Sequence, residues 1–222
     1  MMQYHFPTVL FFGAGSLLDL APAIQKRGLR SLLMVTDPGL VEVGLADLVK
    51  NTLTSSRLNI DIFDDVHPNP LEEDVTLGVK AYQSGDYDGI IALGGGSAMD
   101  VAKTIRFMAV HDPPLSQYDD ALGGDAKIVN AIPPLFAIPT TAGTGSEVGR
   151  SSVITLKETG RKTIFFHPEL MPDIAVLDPK LTVGLPPHIT AATGMDAFTH
   201  CAEAYLVDSF PPMADALAVK GM

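Results

Sequence analysis

The sequence is poor in several things, and each shortage excludes something. A single cysteine, Cys201, occurs among 222 residues, so no intrachain disulfide can form and a reducing cytoplasm is the expected setting. No lysine or arginine precedes Lys26, and no apolar run approaches the ~20 residues of a spanning helix. Neither a signal peptide nor a membrane anchor is therefore expected. Positive charge is scarce too: 15 Lys and Arg against 26 Asp and Glu leave a net charge of −11. Repulsion then excludes nucleic acid and anionic membrane surfaces as partners. The chain has no internal repeat and no low-complexity tract. What it does have is 46% hydrophobic content, enough for one large core or one domain and part of another.

The chain is organised around Asp88–Ala109, DGIIALGGGSAMDVAKTIRFMA. Ile90–Leu93 reads as a fully buried parallel strand. Gly94, Gly95 and Gly96 let the backbone turn sharply and approach a ligand closely, since none carries a Cβ. Ser97 reads as the N-cap of a helix whose apolar residues Ala98, Val101, Ala102, Ile105, Met108 and Ala109 fall at helical spacing. Such a turn aims free N–H groups and the positive end of the helix dipole above the strand, where a phosphate or pyrophosphate binds. A plain strand-to-helix connection has no need of three adjacent glycines. A Walker A loop is excluded, because Lys103-Thr104 follows Ala102 and lies too deep in the helix.

Strands are predicted at Val9–Phe12, Leu32–Thr36, Leu58–Phe63, Leu135–Ile138 and Ile174–Leu177, with helices near Ser16–Lys26, Leu40–Leu53 and Leu71–Gln83. His67-Pro68-Asn69-Pro70 is a rigid turn. Val153–Thr155 and Thr163–Phe166 flank Lys157–Arg161 as a hairpin. Strands alternating with helices predict a Rossmann-like α/β fold with a doubly wound parallel sheet. Leu185-Pro186-Pro187 marks a boundary between a domain spanning 1–185 and the first helices of an all-α domain in 186–222.

A second glycine turn competes for the phosphate. Gly13-x-Gly15 follows a strand and Asp37 lies some way downstream, which imitates a dinucleotide fingerprint, but Leu18 takes the place of its third glycine. The pyrophosphate is therefore expected over Gly95–Ser97. Asp37, at the end of the second strand, either accepts hydrogen bonds from an adenosine ribose or caps the helix that starts at Pro38. The stretch Pro139-Thr-Thr-Ala-Gly-Thr-Gly-Ser-Glu147 is a loop rich in small hydrogen-bonding groups after a buried strand. Ile189–Val207 is strongly helical and puts Asp196 and His200 four apart on one face. Taken alone, that pair is an ordinary helix contact or half of a divalent-metal site. His5, His67, His111, His167 and His188 show no matching ligand spacing.

Three stretches together resemble the iron-containing (group III) alcohol dehydrogenases, within the dehydroquinate synthase-like superfamily. They are Gly94-Gly-Gly-Ser-Ala-Met-Asp-Val-Ala-Lys103, Pro139-Thr-Thr-Ala-Gly-Thr-Gly-Ser-Glu-Val148 and Gly194-Met-Asp-Ala-Phe-Thr-His200, and the resemblance runs from Gly13 to Tyr205. It implies an NAD(H)-binding domain and an all-helical domain that completes a cleft. It gives Asp37 the ribose, Gly95, Gly96 and Ser97 the pyrophosphate, and Asn69 a cofactor contact. Thr140, Thr141 and Thr144 would line the cofactor's other side, Lys162 would sit near a ribose, and Asp196 and His200 would bind Fe2+ or Zn2+. NAD is expected over NADP, because a carboxylate at Asp37 repels a 2′-phosphate.

Two departures stand out. Gly149 replaces the threonine common after Glu-Val in the family. Family members also continue past the position of Met222 and supply two more metal-binding histidines, so this chain is expected to be a fragment that binds cofactor, holds little metal and turns nothing over. The intact enzyme is expected to move hydride between nicotinamide and a small alcohol or aldehyde as a cytoplasmic homodimer or larger oligomer. The alternatives are a dinucleotide-binding module without catalysis and a glycerol or polyol-phosphate dehydrogenase of the same superfamily.

Overall fold

A computed structural model of the chain describes residues 8–208 and 211–222; His5 lies outside them. Six strands form one parallel sheet: β1 (Val9–Phe12), β2 (Ser31–Val35), β3 (Asn59–Phe63), β4 (Gly89–Gly94), β5 (Leu135–Pro139) and, after a separate hairpin of β6 (Ser151–Thr155) and β7 (Lys162–Phe166), β8 (Ile174–Leu177). The order across the sheet is β1-β8-β5-β4-β2-β3, and every neighbouring pair is parallel. The hairpin is antiparallel, with Val153 opposite Ile164.

Strand side chains alternate between faces, and here both faces are apolar, as a doubly covered sheet requires. Leu33, Val35, Ile90, Ala92, Leu135 and Ala137 enter one core. Leu32, Met34, Ile91, Leu93, Phe136 and Ile138 enter the other. Helices α1 (Leu20–Lys26), α2 (Pro38–Glu42) and α3 (Leu45–Thr54) follow the first two strands, and Ile24, Val49 and Leu53 of this group close the second core. Helices α4 (Glu72–Ser84) and α5 (Gly96–Met108) close the first through Val75, Val101 and Ile105. α5 is buried along nearly its whole length, because the hairpin packs over it with Ile154 and Phe165. The sheet is therefore doubly wound, as predicted.

Three local expectations are corrected. The helix expected over Leu40–Leu53 is broken into α2 and α3 at Gly44, whose φ of 75° is left-handed and suits a residue without a Cβ. The helix near Ser16 begins as a 3-10 turn over Ser16–Asp19. Ser97 is not the N-cap of α5: Gly95 takes that position, and the Ser97 hydroxyl instead donates to the Pro68 carbonyl at 2.7 Å.

The last two helices, α6 (Pro187–Leu206) and α7 (Pro212–Gly221), pack on one another. No residue of α6 is buried, and Met195, Phe198 and Leu206 are among its exposed apolar side chains. Among the described residues no helix is long and apolar enough to cross a membrane.

The strand order also fixes where a ligand can sit. From β2 the chain steps outward to β3, returns to β4 on the other side of β2, and then proceeds away through β5 and β8. The β2/β4 boundary is thus the topological switch point, and crevices for ligands open beyond the carboxyl ends of strands at such a point.

Candidate functional site

The turn after β4 opens at that switch point. Gly94 has a φ of 145°, and a Cβ there would lie 2.8 Å from the Ala98 Cβ. One at Gly96 would lie 2.8 Å from the Thr144 Cγ2, and one at Gly95 would lie 3.3 Å from the Thr141 Oγ1. Gly95 and Gly96 therefore let the threonine loop after β5 approach the start of α5. Thr140 is buried, and its N–H donates to the Gly94 carbonyl at 3.0 Å, which joins the two loops at their roots.

Asp37 ends the neighbouring strand. Its Oδ1 accepts from the Leu40 N–H at 3.1 Å and caps α2, while its Oδ2 lies 3.4 Å from where a Gly94 Cβ would stand. The two roles weighed for this residue are therefore compatible in space. One oxygen caps, and the other faces the glycine turn.

Beside the turn is a cavity of about 230 Å³ whose walls include Asn69, Gly96, Ser97, Asp100, Thr144 and Lys162. The Lys162 ammonium donates to the Asn69 Oδ1 at 3.0 Å, which ties the hairpin to the His67–Pro70 turn. That turn is anchored by Asp74, which is 1% exposed: its Oδ2 accepts from the N–H groups of His67 and Leu71. Its Oδ1 pairs with His67 Nδ1 at 2.7 Å. The hydrogen bond to Asp74, with its charge, raises the His67 pKa above the ordinary value. A second hollow, of about 370 Å³ between Gln25, Arg30 and Arg57, lies where β2 and β3 begin, at the opposite end of the sheet from these motifs.

The rival turn is closed by the protein itself. Gly15 N–H donates to Asp178 Oδ2 at 2.9 Å and Leu17 N–H at 3.4 Å. Burial alone would raise the Asp178 carboxyl, but the N–H groups of Gly15, Lys180 and Leu17, with the Lys180 charge, outweigh it and hold it below the ordinary value. A carboxylate already occupies the place where a phosphate would bind.

Sequence reasoning missed a polar cluster under the crevice. Lys103 is 0% exposed, and its Nζ donates to the Ser146 carbonyl (2.7 Å), the Ser146 hydroxyl (2.8 Å) and the Ser151 carbonyl (2.9 Å). Burial pushes the Lys103 ammonium down to about 8. Ser146 Oγ in turn donates to Asp100 Oδ1 at 2.9 Å. Asp100 Oδ2 accepts from the Val153 N–H at 3.1 Å, and burial raises the Asp100 carboxyl. The available signal was the polar set Asp100, Lys103 and Thr104 on a helix face that otherwise reads as core.

Asp196 and His200 lie on one face of α6 with Oδ1 and Nε2 3.8 Å apart, both side chains about half exposed. A Cβ on Gly143 would lie 3.1 Å from Asp196 Oδ2, so the pair sits beside the threonine loop. Among the described residues no group of three or more His, Cys, Asp and Glu side chains could hold a metal. A catalytic iron or zinc usually takes three protein ligands, so the pair is chemically apt but does not complete a site.

Comparison with known proteins fits this architecture. The chain is 43% identical over 213 residues to a 4-hydroxybutyrate dehydrogenase of Cupriavidus necator, covering 96% of this chain and 54% of the relative. It is 40% identical over 217 residues to long-chain-alcohol dehydrogenase 1 of Geobacillus thermodenitrificans, covering 98% and 54%. A crystal structure of 1,3-propanediol oxidoreductase superposes with a TM-score of 0.92 at 38% identity, covering 99% of this chain and 56% of that one. A sulfoacetaldehyde reductase from Bifidobacterium kashiwanohense in complex with NAD+ gives 0.87 at 31%, covering 98% and 57%. The chain thus spans about half the length of the curated relatives it matches. The model of the iron-containing alcohol dehydrogenases matches residues 7–179, and the chain belongs to that family.

Proposed function

We propose that this chain carries the cofactor half of an NAD(H)-dependent dehydrogenase acting on a small alcohol or aldehyde, as a cytoplasmic homodimer or larger oligomer. The observation that supports it most is the triple-glycine turn at the switch point, open to a cavity that Asn69, Ser97, Thr144 and Lys162 share. On this reading the pyrophosphate lies over Gly95, Gly96 and Ser97, where the first N–H groups of α5 face it. The free oxygen of Asp37 takes the adenosine ribose, which favours NAD over NADP. Thr140, Thr141 and Thr144 line the opposite wall, and Asn69 and Lys162 meet the nicotinamide ribose. Residues 1–185 form the dinucleotide domain, and 186–222 begin the metal and substrate domain.

Asp196 and His200 supply two ligands to Fe2+, or to Zn2+ in its place. When bound, such an ion polarises the substrate oxygen as a Lewis acid. The chain's own contribution is to orient the nicotinamide against that oxygen and to exclude water from one side of the crevice.

The incomplete ligand set favours a second reading, in which the chain binds dinucleotide without catalysing anything. Calorimetric titration with NADH, together with metal analysis and an alcohol-dependent assay for NADH formation, separates the two. NADH binding with stoichiometric metal and turnover supports the dehydrogenase, and binding alone supports the module. Absence of NADH binding overturns both.

A further inference from the structure

Lys103 is the least expected side chain in the molecule. It is among the largest of the fully buried ones, and among the described residues no carboxylate oxygen lies within 4.0 Å of its ammonium. A methionine or leucine would fill the same buried position without the desolvation penalty of a buried charge. The cation must therefore do something that an apolar side chain cannot.

Its partners show what that is. An ammonium has three hydrogens and a neutral amine has two. Lys103 has three acceptors, so the geometry uses every hydrogen of the charged form. Two acceptors belong to Ser146 in the loop after β5, and the third is the carbonyl of Ser151, where β6 begins. One turn earlier, Asp100 takes the Ser146 hydroxyl and the Val153 N–H. One residue later, Thr104 Oγ1 bonds Ser152 Oγ at 3.0 Å. A single face of α5 thus fastens 146–153 at successive points. The threonine loop is joined to Gly94 at its root through Thr140, and this fastening holds its far end.

We propose that Lys103 is a positioning residue for the nicotinamide side of the cofactor crevice: its ammonium fixes the far end of the threonine loop and the hairpin against α5 and so positions the hairpin's Lys162, which lines the crevice beyond the glycine turn. The inference rests on the cofactor reading above, and it makes a demand which that reading does not. The adenosine and pyrophosphate ends are held by Asp37 and the glycine turn, which precede the fastening. Loss of the ammonium should therefore harm binding of the whole dinucleotide and spare binding of ADP. A looser loop must be ordered at the moment of binding, and that ordering is subtracted from the affinity.

The test uses the full chain and titrates NADH and ADP separately into the unmodified protein, Lys103→Met and Ser146→Ala. Lys103→Met keeps length and removes charge. It should weaken NADH at least about tenfold and ADP by less than about twofold. Ser146→Ala keeps the carbonyl acceptor and removes the hydroxyl relay to Asp100. It should weaken NADH about threefold, and it decides the matter if Lys103→Met does not fold. Equal losses for the two ligands, or no loss for either, overturn the proposal. If the unmodified chain binds neither ligand, the cofactor reading falls by itself. Amide exchange then judges the fastening: faster exchange at Ser151–Val153 in Lys103→Met sustains it, and unchanged protection overturns it.

Discussion

The two glycine turns of this chain have nearly the same local chemistry and opposite fates. Gly13-Ala14-Gly15 follows β1 and Gly94-Gly95-Gly96 closes β4, and both turns use glycine at positive φ, at Gly13 and Gly15 in the one and at Gly94 in the other. The first leads into a 3-10 turn at the sheet's edge, and its N–H groups are taken by Asp178. The second leads into a 13-residue α-helix at the centre of the sheet and faces a cavity. A glycine turn becomes an anion site only when its donors are unspent and the strand order leaves a crevice above it. Neither condition is contained in the motif.

The largest expected effect breaks the comparison directly. Gly96→Val places a branched side chain against Thr144 and over the pyrophosphate position, and NADH affinity should fall by more than about 100-fold, near 2.7 kcal/mol. Gly13→Ala, at a φ of 131°, should cost folding stability but leave NADH affinity within about twofold, because Asp178 already takes the N–H groups of Gly15 and Leu17 in that turn. Calorimetric titration and chemical denaturation read the two quantities. The reverse pattern would place the pyrophosphate at the first turn.

Removing the plug is the next test. Asp178→Ala leaves the N–H groups of Gly15 and Leu17 without their acceptor, which should cost about 2 kcal/mol of unfolding free energy with little change in NADH affinity. Denaturant midpoints at constant slope measure it. Asp37→Gly comes third. It should narrow the NAD-over-NADP preference by about tenfold, with only a few tenths of a kcal/mol lost from the cap; competing titrations of the two cofactors check it.

The smallest effect concerns pH. The folded state raises the His67 pKa above its ordinary 6.5 through Asp74. The folded protein therefore holds that proton more tightly than the unfolded chain does. The stabilisation is complete below pH ~6.5 and disappears as pH rises through the raised value. Thermal midpoints of the unmodified chain and His67→Ala should differ most below pH 6 and converge above neutrality. A constant difference across that range would remove charge from the account.

Much of this was legible because its signals are local. The β4 strand, the glycine turn and α5 announce themselves through an apolar run, adjacent glycines and helical spacing within one stretch, and the hairpin of β6 and β7 does so through its turn. The break at Gly44 was not legible, since an isolated glycine inside a helical pattern is often tolerated. The contacts of Asp178 and Lys103 were missed because they are long-range. Asp178 lies 163 residues from the Gly15 amide that it accepts from, and the acceptors of Lys103 come from residues 43 and 48 positions away. No window of sequence contains both ends of such bonds. The threonine loop was recognised by composition, but what holds it was visible only in three dimensions.

The edge strand carries one more consequence, for the order of assembly. β1 pairs with β8 alone, with Val9 beside Ile174 and Phe12 beside Leu177. Among the described strands Val9–Phe12 therefore has no neighbour until β8 has been synthesised. Parallel pairings across such a span form slowly, because the chain entropy of closing the loop is spent before the contacts repay it. The nascent chain must carry the apolar segment Val9–Phe12 without its β8 partner across the 160 and more residues that separate the two. The Asp178 carboxylate then arrives beside β8 to latch that strand in place.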